Sequence, residues 1–101
     1  MNGMSDILKN YVLNTTKSIV DNPNDVAIDI SITTKAIIMQ IKGNKSDSGK
    51  IIGKKGRTIE SLKVICLAIK NTKFPDDSRR IILEVVEEEN SNFRYKKREE
   101  D

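Results

Sequence analysis

Histidine and tryptophan are absent from the 101 residues, cysteine occurs once, proline twice and aromatic residues four times. Without histidine the chain has neither the usual general base nor the commonest zinc ligand. A single cysteine, Cys66, excludes an internal disulfide and suits a reducing compartment. No apolar run approaches the ~20 residues that a membrane-spanning helix needs. The N-terminus, Met1-Asn2-Gly3-Met4-Ser5-Asp6, lacks the basic-then-apolar layout of a secretory signal. Together these absences point to a soluble, cytoplasmic protein with little scope for redox, metal or histidine-based chemistry. At this length it is one domain with a modest core.

The formal net charge is +3, and its distribution says more than its size. Residues 42–73 hold nine basic side chains against only Asp47 and Glu60, a net +7. Residues 1–41 are close to neutral and residues 84–101 are net acidic. Positive charge gathered in one stretch is the footprint expected for a polyanion, although a solvated lysine-rich helix face gives the same pattern.

Hydrophobic periodicity sets the elements. Leu8, Val12, Thr15 and Ile19 recur at helical spacing and predict a helix over 5–21, ended by Asn22-Pro23. Val26, Ile28, Ile30 and Ile32 alternate with smaller or polar residues, which is the period of a strand. A second strand is predicted around Lys35–Lys42, with Ile37, Met39 and Ile41 on one face. Ser46 or Asp47 is placed to cap a short helix reaching Ile52. A longer helix over Arg57–Thr72 carries Ile59, Leu62, Ile65, Cys66 and Ile69 on one stripe, and Arg80–Glu87 reads as a third strand. From Glu88 the chain is almost wholly polar and reads as a charged, disordered tail. The expectation is an α+β, two-layer domain over 1–87. It has a three-stranded mixed sheet, three helices on one face and the order α-β-β-α-α-β.

Between the short and long helices lies Gly53-Lys54-Lys55-Gly56. Glycine permits a sharp turn and a close backbone approach. The amide groups opening the next helix favour an anion, and Lys54 and Lys55 add two mobile cations. That combination suits the grip of a sugar-phosphate backbone. A tight helix–helix corner would explain one glycine, but a pair bracketing two lysines inside the +7 stretch is better explained by a clamp.

With its flanks, Ile51-Ile52-Gly53-Lys54-Lys55-Gly56-Arg57-Thr58-Ile59 resembles the I-G-x-x-G-x-x-I signature of the KH domain, a module that clamps about four nucleotides of single-stranded nucleic acid. The element order resembles the type II, prokaryotic arrangement. Ser18-Ile19-Val20-Asp21-Asn22-Pro23 followed later by Gly49-Lys50-Ile51-Ile52 is similar to the small bacterial single-KH RNA-binding proteins of the KhpA type. The resemblance implies that Gly53 and Gly56 admit phosphates, with Lys54 and Lys55 in the variable positions and Arg57 and Lys50 in support. It also implies that Ile52, Ile59 and the strand around Ile38 line an aliphatic groove for bases. By the same resemblance such proteins act as RNA chaperones or post-transcriptional regulators, as homodimers or beside a larger KH-containing Jag-type partner. No cofactor is implied.

Other readings fit less well. A nucleotide-binding P-loop fails because Gly49 and Gly53 are three residues apart rather than four, and Lys55 follows Lys54 where Ser or Thr is needed. Readers of the RRM and OB type stack bases on exposed rings, yet Tyr11, Phe74, Phe93 and Tyr95 all fall outside the predicted strands. The carboxylates at Asp76-Asp77 and Glu87-Glu88-Glu89 suit turn chemistry and solubility, so no enzyme activity is expected. Two alternatives stay open: a KH scaffold that serves mainly to dimerise or hold a partner protein, and a ribosome-assembly factor on ribosomal RNA.

Overall fold

The computed structural model of the chain describes residues 3–87 and 90–95. Its elements in order are α1 (Met4–Ile19), β1 (Ala27–Ile32), β2 (Ala36–Gly43), α2 (Ser48–Ile52), α3 (Arg57–Lys73), β3 (Arg80–Glu87) and β4 (Asn90–Tyr95). Single 3₁₀ turns at Pro23–Asp25, Lys45–Asp47 and Lys54–Gly56 join several of them.

Thr33 closes the β1–β2 hairpin, since its hydroxyl accepts from the Lys35 and Ala36 amides while its own N–H donates to the Ala36 carbonyl. The two strands pair antiparallel, from Ala27 opposite Lys42 to Ile32 opposite Ile37. The α2–α3 pair then spans the sheet and returns the chain parallel to β2, from Ala36 opposite Arg80 to Gly43 opposite Glu87. This is the mixed sheet that the pattern of elements requires, because a parallel neighbour needs a crossover of a dozen or more residues. Alternation along β2 and β3 turns Ile37, Met39, Ile41, Ile81, Leu83 and Val85 toward the helices, all buried. Leu8 and Val12 of α1, Ile51 of α2, and Ile59, Leu62 and Cys66 of α3 close over them.

Three elements differ from the periodicity reading. Residues 90–95, assigned to a tail, pair antiparallel with the end of β3 as a fourth strand, with Val85 opposite Tyr95 and Val86 opposite Arg94. Residues 88, 89 and 96–101 of that tail lie outside the described residues. In α1 the buried side chains are Leu8, Val12 and Thr16, and Ile19 is exposed at the helix end. In α3 the buried positions are Ile59, Leu62, Cys66 and Lys70, which leaves Ile65 exposed. The segment 64–69 is apolar almost throughout, and a helix presents only one stripe of it to a sheet. Buried Lys70 keeps its charge satisfied by donating from Nζ to the Asp77 carbonyl, which ties down the α3–β3 loop. In that loop the Arg79 guanidinium donates to the Asp77 side chain and holds its carboxyl well below the usual carboxylate range.

Thr16 is fully buried, and among the described residues its hydroxyl has no hydrogen-bond partner. An unpaired buried hydroxyl costs about 1–3 kcal/mol. Thr16→Val keeps the branched shape and removes the orphan group. It is expected to raise the melting temperature by about 5 °C, as a gain of about 1 kcal/mol does in a domain of this size. Thermal unfolding followed by circular dichroism checks it.

Candidate nucleic-acid interface

Five-residue α2 is too short to be stable alone, so its position is set by its surroundings. Ile51 anchors it in the core at 1% exposure. Asp47, just before it, is equally buried, and its carboxylate accepts three hydrogen bonds from the α1–β1 corner. The donors are Asp21 N–H (3.1 Å), Asn22 N–H (3.0 Å) and Asn22 Nδ2 (3.1 Å). Asp47 occupies the N-cap position of α2 as expected, but its side chain makes no capping bond there; Asn44 caps the preceding 3₁₀ turn, its side chain accepting from the Ser46 amide. Asp47 is thus a clasp between α1 and α2. Burial by itself would raise its pKa, but the Asp21 and Asn22 donors and the nearby Lys50 charge outweigh that and hold it below the ordinary 3.8.

A carboxyl whose folded pKa is depressed stabilises the fold above its ordinary pKa, and this contribution is lost as pH falls through the folded value. Asp47→Asn is therefore expected to lower the melting temperature at neutral pH. The gap from the wild type should narrow as pH drops below about 4. Melting curves across that range check both parts.

α2 ends where Gly53 N–H donates to the Gly49 carbonyl at 2.8 Å. Gly53 then takes φ +80°, ψ 169°, a conformation essentially confined to glycine. The turn closes with Gly56 N–H donating to the Gly53 carbonyl at 3.0 Å and Arg57 N–H to the Lys54 carbonyl. Gly56 lies in the left-handed region at φ +72°, and so does Lys55 at φ +58°. A lysine there carries roughly 1–2 kcal/mol of strain, and such strain is held where the surroundings and the function over-determine it. Two of the loop amides are spent closing the turn. The edge presented outward is therefore Lys54-Lys55, both exposed, with exposed Arg57 beside them.

The other candidate residues separate into those that join this edge and those that do not. Lys50 is exposed and ion-paired with Asp21 at 3.2 Å. Ile52 is half-buried at the margin of the core, next to the loop. Gly56 is buried beneath the turn. Ile59, expected to meet bases, is 2% exposed and belongs to the core under the first turn of α3. Ile38 alternates with the buried Ile37 and Met39, so it faces away from the helices and the loop. The aliphatic groove is accordingly not assembled from these residues, and Ile52 alone of the three sits at the loop edge. Among the described residues no group of acidic or sulfur ligands could hold a metal ion, and no helix is long and apolar enough to cross a membrane.

A parallel β2–β3 pair connected through two helices, with a Gly-x-x-Gly turn between those helices, defines a KH module of type II. Comparison with known proteins agrees. The family described as "KhpA/KhpB, KH domain" matches residues 9–85, and the chain belongs to that family. RNA-binding protein KhpA of Chlamydia trachomatis is 32% identical over 81 residues, covering 80% of this chain and 99% of the relative. The protein of the same name from Clostridium perfringens is 31% identical, covering 78% of this chain and all of the relative. That of Listeria monocytogenes is 28% identical, covering 79% and all respectively. No solved structure matches the chain.

Proposed function

We propose that this protein binds single-stranded RNA without catalysis, gripping backbone phosphates at the outward edge of the Gly53–Gly56 loop. The observation that supports this most is the loop itself. Two positive-φ glycines and a strained Lys55 hold two exposed ammonium groups beside Arg57, in the part of the chain where positive charge is concentrated. With Ile59 in the core and Ile38 turned away, base contacts are few, so affinity rests on phosphates and sequence preference is modest. RNA chaperoning or post-transcriptional regulation in the cytoplasm is the role such binding would serve; the relatives named as RNA-binding proteins support RNA as the ligand. The expected result is affinity that falls steeply with salt, with a log–log slope of about −0.7 per phosphate contacted. Fluorescence anisotropy of a labelled single-stranded RNA at several salt concentrations measures it, and no binding at low salt would refute the reading.

Self-association goes with this function. Every exposed residue from Ser61 to Thr72 on α3 is uncharged, in a chain that is 33% charged. Val64 (53% exposed), Ile65 (44%) and Leu67 (39%) stand on that face. A helix face with no charge over three turns is covered most simply by a second copy of itself, in the two-fold arrangement that dominates small oligomers. The same face suits a larger KH-containing partner of the Jag type.

A further inference from the structure

We infer that Thr58 is a positioning residue for the RNA-gripping loop, acting on it through Gly53. A methyl group added to Gly53 would lie 2.6 Å from Thr58 Cβ, 2.7 Å from Thr58 N and closer still to Thr58 Oγ1. The missing side chain of Gly53 is therefore the space that Thr58 fills. Thr58 stands in the first turn of α3, two residues beyond the loop, and its branched Cβ restricts χ1 to a small set of rotamers. It forms a stiff stop against which the Gly53 backbone rests.

Glycine by itself is the least constrained residue, and a glycine at each end would leave this loop free to sample many shapes. The closing Gly53 carbonyl–Gly56 amide bond, at 3.0 Å, spans only the loop, and the Arg57 N–H bond to the Lys54 carbonyl ties the middle of the loop, not its entry, to α3. The Thr58 contact supplies a further attachment at Gly53. It couples the entry of the loop to the helix that follows, so that Lys54, Lys55 and Arg57 are held in one arrangement before RNA arrives. Shape rather than hydrogen bonding carries this role, since the contact involves the Thr58 Cβ as well as its oxygen.

The inference rests on the loop being the RNA clamp, and its test keeps the two claims apart. Thr58→Val preserves the branched stop and removes the hydroxyl, whereas Thr58→Ala removes the stop. Thr58→Ala is expected to weaken binding of a labelled single-stranded RNA about five- to tenfold, because the competent loop shape becomes a minor population. Thr58→Val should restore affinity to within about twofold of the wild type on the same reasoning. Hydrogen exchange of the Gly56 amide, read by NMR without RNA, should quicken in Thr58→Ala and be unchanged in Thr58→Val. Unchanged Gly56 exchange in Thr58→Ala would overturn the inference whatever the RNA result. So would a Thr58→Val variant as impaired as Thr58→Ala, which would assign the role to the hydroxyl. If wild-type protein bound no RNA, the clamp reading would fail, and Gly56 exchange would still decide what Thr58 does.

Discussion

Replacing Lys54 and Lys55 together by Asp is expected to lower affinity for single-stranded RNA by about 100-fold or more at low salt. Two exposed cations become two anions at the edge proposed to meet phosphates, so the variant should lose attraction and gain repulsion. The salt dependence should flatten at the same time, because fewer counterions are displaced on binding. Folding should be nearly unaffected. Surface substitutions away from caps and core usually change stability by less than about 0.5 kcal/mol. Asp also tolerates the left-handed conformation that Lys55 adopts at φ +58°. Anisotropy titrations paired with melting curves measure both halves. Lost binding with a preserved melting temperature separates a contact role from a structural one, and unchanged affinity at low salt would remove the loop from the interface.

The second large effect concerns α3. Val64→Asp together with Ile65→Asp is expected to weaken self-association by at least about 100-fold, giving the 11.4 kDa monomer by size-exclusion chromatography with light scattering. Placing four carboxylates, two from each copy, against one another in a low-dielectric contact opposes association strongly. Both side chains are already exposed in the isolated chain, so the substitutions leave the core untouched. RNA binding per monomer should persist, since the face lies outside the Gly53–Gly56 loop. A wild-type chain that runs as a monomer at high concentration would contradict the assignment of that face.

Much of this architecture is legible in the residues. Period-two alternation places β1 and β2, and a β-branched, apolar centre places β3, each to within a residue at each end, while Gly53–Gly56 marks the break between α2 and α3. A glycine pair and a change of period are local signals, and local signals survive in a linear sequence. What escapes is decided by packing at a distance. Nothing near Asp47 announces that it will clasp Asp21 and Asn22, some 25 residues earlier, because the bond exists only once α1 and α2 meet. Periodicity shows that 59–69 is apolar and helical, but it does not decide which residues face the sheet and which face outward. That is why Ile65 was expected inside and stands outside, while Lys70 is drawn in by the Asp77 carbonyl. The groove residues fail for a related reason. Ile59 matches the signature by position and Ile38 is suggested by its place on the second strand, yet β2 alternation turns Ile38 away and core packing takes up Ile59. Residues 90–95 look too polar for a sheet, but a strand added at an edge needs only backbone partners, which β3 provides.

A titration of ¹⁵N-labelled protein with a short single-stranded RNA, followed through its backbone amide resonances, addresses the loop most directly. The Gly53–Arg57 amides and that of Ile52 should move first and furthest, with α1 and the outer face of α3 nearly still. Shifts confined to other surfaces, with the Lys54 and Lys55 amides unmoved at saturation, would contradict the account.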